Sequence, residues 1–222
     1  MTLLIINISL AAVPSLLLLL YFYRKDVQKK EPPKLVWKIF GLGCLAVIPA
    51  AVLELIIGLF AEFFTGITFL AVRAFVIAGL VEELMKLLVV LLFVYKKDDF
   101  DEVTDGMVYA ISAGLGFAFL ENIMYSFGPP LALIVRGITA VPLHAIASGI
   151  MGYYIGLSKF KTQRLYKTGL LYAVLIHGTY DFLLFTGTWL SLIVIPLLIG
   201  SGKILFNLYG RALEDDRRTG RS

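Results

Sequence analysis

Seven apolar runs, each bounded by charged or turn-forming positions, divide the chain: 3–22, 36–60, 69–94, 105–126, 131–157, 168–187 and 188–208. A helix needs about 20 mostly apolar residues to cross a hydrocarbon core of about 30 Å, and each run meets that length. The pattern predicts an all-α polytopic membrane protein of about seven transmembrane helices. Residues 1–210 are expected to form a single membrane domain and 211–222 a polar tail, with only Thr186-Gly187-Thr188 parting the last two runs. No basic residue precedes the first run and no A-x-A site follows it, so it is expected to be a retained helix.

Composition agrees with the pattern. Of 222 residues, 59% are hydrophobic and 16% charged, against about 25% charged in soluble domains; mean hydropathy is +0.87. The formal net charge of +4 could suggest nucleic-acid binding, but 16 of the 20 Lys and Arg cluster at alternate ends of the runs. They are Arg24 to Lys38, Lys96 and Lys97, Lys159 to Lys167, and Arg211 to Arg221, whereas 61–68 and 127–130 hold none. By the positive-inside rule the N-terminus is expected outside and the C-terminus in the cytoplasm. The charge therefore reports topology, and lipid rather than nucleic acid is the expected surroundings. The single Cys44 excludes a disulfide framework or thiolate metal cluster and reads as a small core side chain.

The third run breaks its own pattern with Val81-Glu82-Glu83-Leu84-Met85-Lys86 at its centre. Three charges there oppose insertion by on the order of 9 kcal/mol, about what the apolar remainder of the run returns. At 100° per residue, Glu82, Lys86 and Glu83 fall at about 0°, 40° and 100°, one arc that must face protein or trapped water. Two carboxylates this close in a low dielectric resist ionising together. The pair therefore offers one base and one proton donor, as hydrolytic acid–base chemistry requires. A structural ion pair is the plainer alternative.

Other runs bring polar groups to similar depth: Glu121-Asn122 with Tyr125 one turn on, His144 with Ser148, and His177 with Asp181. Each i, i+4 pair shares a helix face, so Asp181 could hold the His177 ring in one tautomer. These positions predict a polar intramembrane cavity in the central-to-outer half of the membrane. Ser112 and Gly116, and Ser148, Gly152 and Gly156, have the small-xxx-small spacing of closely packed helices. Pro142 is expected to bend the fifth helix, Glu54 and Arg73 to form a structural pair, and Lys203 to snorkel.

Glu82-Glu83-x-x-Lys86, Asp105-Gly106-Met107 through Glu121-Asn122-x-x-Tyr125, His144-x-x-x-Ser148 and His177-x-x-x-Asp181 together resemble the PrsW family of glutamic-type intramembrane proteases. The motifs cover the third to the sixth run, in that family's order. The resemblance implies a multi-pass enzyme of the bacterial cell membrane that clips a membrane-spanning anti-sigma factor. It implies that Glu82, Glu83 and His177 are essential, with Glu121, His144 and Asp181 supporting them. The CAAX prenyl endopeptidases are more distantly similar; they space a basic Arg differently and place Asn after the last histidine, where this chain has Lys86 and Asp181.

The reading that follows is a site-1 endopeptidase in which Glu82 or Glu83 activates water, with neither cofactor nor metal expected. Lys86 tunes the pair, and His177, His144 and Asn122 are candidates to stabilise the oxyanion. Three alternatives use the same residues: zinc on His144, His177 and a glutamate, a proton or ion relay in a transporter, or a structural membrane protein.

Overall fold

The computed structural model describes residues 2–25, 29–161 and 164–221, with Thr2 as backbone only. Every regular element among the described residues is helical. Helices α1 (Thr2–Lys25) and α2 (Pro33–Ala61) cover the first two expected runs. The charged stretch from Lys25 to Lys34 lies between them, and its residues 26–28 fall outside the described ones. Next come α3 (Gly66–Ala71), a π-helical segment (Val72–Leu80) and α4 (Val81–Phe93), which follow one another without a gap. They continue into α5 (Val103–Met124), α6 (Pro130–Ile138), α7 (Ala140–Phe160), α8 (Tyr166–Phe185) and α9 (Val194–Arg218).

Six stretches are long and apolar enough to span a bilayer: Leu3–Lys25, Pro33–Ala61, Val103–Phe127, Pro130–Phe160, Tyr166–Phe185 and Trp189–Arg218. The third expected run is the seventh, a rod whose Arg73, Glu82, Glu83 and Lys86 lower its hydropathy and whose π-helical middle divides it. The protein is therefore an all-α, polytopic membrane protein. Long π-helical segments are rare and concentrate at functional sites, and this one leads directly into the glutamate pair.

Helix α5 forms the centre, with every residue from Val103 to Ala118 buried. Its glycines let neighbouring backbones close in: a methyl group on Gly152 or Gly156 of α7 would lie 2.3 Å from the carbonyl oxygen of Gly106 or Val103. The expected small-residue face of α7 thus docks on α5, whereas Gly116 faces α2, where a methyl would lie 1.9 Å from the Phe40 carbonyl oxygen. Helix α2 buries its inward residues from Leu35 to Ala50 but only Ala61 beyond them, and Pro49 interrupts its hydrogen bonding at that change.

Three local expectations need correcting. The fifth run breaks at Thr139 (φ −122°, ψ −62°) instead of bending at Pro142, which sits in the first turn of α7, where no N–H is needed. Glu54 and Arg73 form no ion pair; the Arg73 guanidinium instead lies 5.5 and 5.1 Å from the ring centres of Phe69 and Phe185. The segment after Gly210 stays helical to Arg218 and returns to the bundle, where Asp216 accepts hydrogen bonds from the Val103 and Thr104 amides (2.7 and 3.0 Å). The sixth and seventh runs part at Gly187, whose φ of +61° lies in the left-handed region that glycine tolerates.

Candidate functional site

Lys86 is fully buried one turn below the glutamates, and an ammonium there needs a partner for each of its three N–H bonds. It has three: Glu83 Oε1 at 2.8 Å, Glu82 Oε2 at 3.2 Å and His144 Nδ1 at 2.8 Å, with the Phe117 ring centre 4.4 Å away. An ammonium only donates, so His144 Nδ1 accepts and its proton resides on Nε2. That Nε2–H donates to Glu121 Oε2 at 3.1 Å. Glu121 Oε1 in turn pairs with Arg136 Nη2 at 2.7 Å. A chain of charged hydrogen bonds thus runs from α4 through α7 and α5 to α6.

His177 of α8 closes the other side. Its Nδ1 donates to Glu83 Oε1 at 2.8 Å, so Glu83, rather than Asp181, fixes the tautomer. Nε2 then faces Glu82 Oε2 at 3.8 Å and Asp181 Oδ2 at 3.4 Å. The two imidazoles meet edge to face, 5.1 Å between centres. Close backbone contact makes this possible: a methyl on Gly79 would lie 3.3 Å from the Gly178 nitrogen, and one on Gly178 2.3 Å from the Phe75 ring. The rod and α8 therefore approach at the level of His177.

Seven of the eight residues singled out from the sequence enter this network: Glu82, Glu83, Lys86, Glu121, His144, His177 and Asp181. Asn122 is buried but turned aside, its Oδ1 accepting from Arg136 Nε at 2.7 Å. Ser148 packs its hydroxyl against Gly114. Arg136 is the member that the sequence motifs do not single out; it joins Glu121 and Asn122 and stacks 4.0 Å from the Tyr125 ring centre. A lone arginine inside an apolar run is the signal that points to it.

A cavity of about 530 Å³ opens beside the network, within the usual range for a ligand site. Glu82, Glu121, His144, His177 and Asp181 line it, together with Glu54, Arg73 and Arg136. Glu83 and Lys86 do not line it. The two glutamates therefore differ: Glu82 faces the cavity, whereas Glu83 is sealed behind it by Lys86 and His177.

The family model described as "PrsW family intramembrane metalloprotease" matches residues 31–201. The chain belongs to the PrsW protease family. It is 41% identical over 181 residues to the protein named Protease PrsW of Geobacillus kaustophilus, covering 80% of this chain and 79% of that one. The Bacillus subtilis Protease PrsW is 36% identical, over 80% and 82% of the two chains, and that of Clostridioides difficile 33%, over 88% and 86%. No solved structure matches significantly.

The family's description raises the question of a metal. Glu82, His144 and His177 each offer a ligand atom, and these lie within 4.8 Å of one another. Two imidazoles and a carboxylate are a common catalytic zinc set, and Glu83 on the far nitrogen of His177 is the kind of partner that orients such a ligand. By donor type and spacing the residues fit a divalent ion, for which His144, hydrogen-bonded through both nitrogens, would have to release either Lys86 or Glu121.

Proposed function

We propose that this intramembrane protease cuts a single-span membrane protein near the outer face of the bacterial cell membrane, with Glu82 as the base that activates water. The observation that carries the reading is the asymmetry of the glutamate pair around one cavity: Glu82 lines it and Glu83 is sealed behind it. Glu82 and His177 Nε2, 3.8 Å apart, can share one water at ordinary hydrogen-bond distance from each.

Glu82 takes a proton from that water, whose oxygen attacks the scissile carbonyl carbon. Charge moves to the carbonyl oxygen, where the Arg136 guanidinium at the cavity wall opposes it. The proton then passes from Glu82 to the departing amide nitrogen and the C–N bond breaks, leaving a carboxylic acid and an amine. Glu83 holds His177 and Lys86 in register, and Glu121 holds His144. Asp181 lies beside His177 Nε2 and balances positive charge that forms there. A peptide bond must leave its helix to reach Glu82, and the polar groups lining the cavity suit a segment unwound near a membrane boundary.

The distribution of basic residues supports an external N-terminus and a cytoplasmic C-terminus. The motif order supports an anti-sigma factor as the substrate class. The test uses purified protein and a single-span substrate: Glu82→Gln abolishes cleavage, and full activity in that variant ends the proposal.

A second reading is favoured by charge. Four carboxylates face only Lys86 and Arg136 in the network, leaving two negative charges when both imidazoles are neutral. A divalent ion held by Glu82, His144 and His177 would offset them and would supply Lewis-acid activation of water. In that case Glu83 orients His177 and the cavity still excludes bulk water. Exhaustive chelation followed by metal analysis separates the two: activity in metal-free protein supports the glutamate alone, and activity restored by stoichiometric zinc supports the ion.

A further inference from the structure

Two arginines line the cavity, and their surroundings differ. Arg136 is committed within the protein to Glu121, Asn122 and the Tyr125 ring. Arg73 has no carboxylate in ion-pair range among the described residues. Its guanidinium is flanked by the rings of Phe69 and Phe185, and its side chain remains exposed to the cavity. Ionisable residues in membrane spans that lack an internal partner mark places where a partner arrives from outside. Rings beside a guanidinium make no hydrogen bonds to its N–H groups, which stay available to a carboxylate.

We infer that Arg73 selects substrates by pairing with an acidic side chain close to the scissile bond, on the flank nearer the outer membrane face. The inference rests on the endopeptidase reading above and adds to it a substrate preference. Position follows from the rod: Arg73 precedes Glu82 by nine residues, at most about 13.5 Å at 1.5 Å per residue. An extended substrate covers about 3.3–3.6 Å per residue, so the acid falls about two to four residues from the cut bond. Glu54, which also lines the cavity, disfavours a second acid there, and of the two lining arginines Arg73 is the uncommitted one.

The experiment uses the full-length protein in detergent and a single-span peptide that it cleaves, varied to Asp, Asn or Lys at each position two to four residues from the cut. Wild type is expected to cleave the best Asp substrate over its Lys counterpart by on the order of ten-fold in kcat/KM, mostly through KM. Arg73→Gln levels the series while leaving the Asn substrate within about two-fold, and Arg73→Glu inverts it toward Lys, a gain that a misfolded variant cannot produce.

The inference is overturned if Arg73→Gln keeps the acid preference. It is also overturned if Glu54→Gln removes the preference as completely, since the partner of Arg73 would then lie within the chain, or if the preference tracks added anionic lipid, since Arg73 would then serve a headgroup. Equal cleavage of all members by wild type defeats the inference alone. Failure to find any single-span peptide that the protein cleaves defeats the endopeptidase reading as well.

Discussion

Two groups of buried carboxylates occupy opposite ends of this bundle, and they differ in what they bond to. Beside the cavity, Glu82, Glu83 and Glu121 accept from side chains: Lys86 one turn along the same helix as the glutamate pair, and His144, His177 and Arg136 from other helices. At the other end Glu31, Glu102, Asp105 and Asp216 are at least as deeply buried, but the bonds of Asp105 and Asp216 go largely to backbone. Asp105 accepts from the Asp101 and Glu102 amides at 2.7 and 2.6 Å, and Asp216 accepts from those of Val103 and Thr104. These amides open α5, where unpaired N–H groups and the helix dipole favour negative charge. Burial of acids therefore does not by itself mark a reactive centre. What separates the two ends is imidazole partners and an open cavity at one, and backbone capping at the other.

The largest effect expected from breaking this contrast is on chemistry. Glu82→Gln keeps shape and a hydrogen-bond acceptor for Lys86 but removes the base. Cleavage should fall about 10²–10⁴-fold while the thermal midpoint in detergent barely moves. A variant that loses folding and activity together would place Glu82 with the structural acids.

Next comes Lys86→Met, which takes the cation from between two buried glutamates. Removing one member of a buried charged set destabilises by about 3–5 kcal/mol, so unfolding should come at markedly lower temperature, with activity lost. Combining it with Glu82→Gln and Glu83→Gln should recover much of that stability without activity, which distinguishes charge imbalance from lost packing. A single Lys86→Met variant as stable as wild type would show that the network is not held by charge.

At the other end, Asp216→Ala leaves the Val103 and Thr104 amides of α5 without their acceptor, while the Thr104 hydroxyl keeps Glu102. The cost should be about 1–2 kcal/mol, as for loss of a helix cap. Cleavage per folded molecule should stay near wild type, read by normalising activity to the folded fraction. Complete loss of activity with folding intact would mean that this end communicates with the cavity, and the contrast would fail.

Much of this arrangement is legible in the sequence, for a physical reason. Spacing within one helix fixes which side chains share a face, so helical periodicity alone groups Glu82 with Glu83 and Lys86, and His177 with Asp181. Depth along alternating helices places Glu121, His144 and His177 at one level. Contacts that depend on how helices rotate about one another leave no such trace. Arg136 reaches Glu121 only because the fifth run breaks at Thr139, and nothing in the spacing of Arg136 and Asn122 marks them as partners. The π-helical segment leaves no periodic signature in nine mostly apolar residues. Asp216 reads as part of a solvated tail because its partners lie more than 110 residues away.

The smallest effect belongs to a pair that resembles the network only on paper. Lys29 and Asp101 form an ion pair at the basic end of the bundle, with both side chains exposed to solvent. The hydrogen bond to Asp101 raises the Lys29 pKa above its ordinary value. A raised lysine pKa adds stability that is fully present below the unfolded-state value, about 10.4, and is lost as pH climbs through the folded value. Between pH 6 and 9 the pair should therefore contribute no pH dependence, and water and salt screen what it does contribute. Lys29→Gln should leave both cleavage and the thermal midpoint unchanged across that range. A midpoint that falls in Lys29→Gln by as much as in Asp216→Ala would mean that solvent does not screen this end, and that exposed and buried charge there act as one cluster.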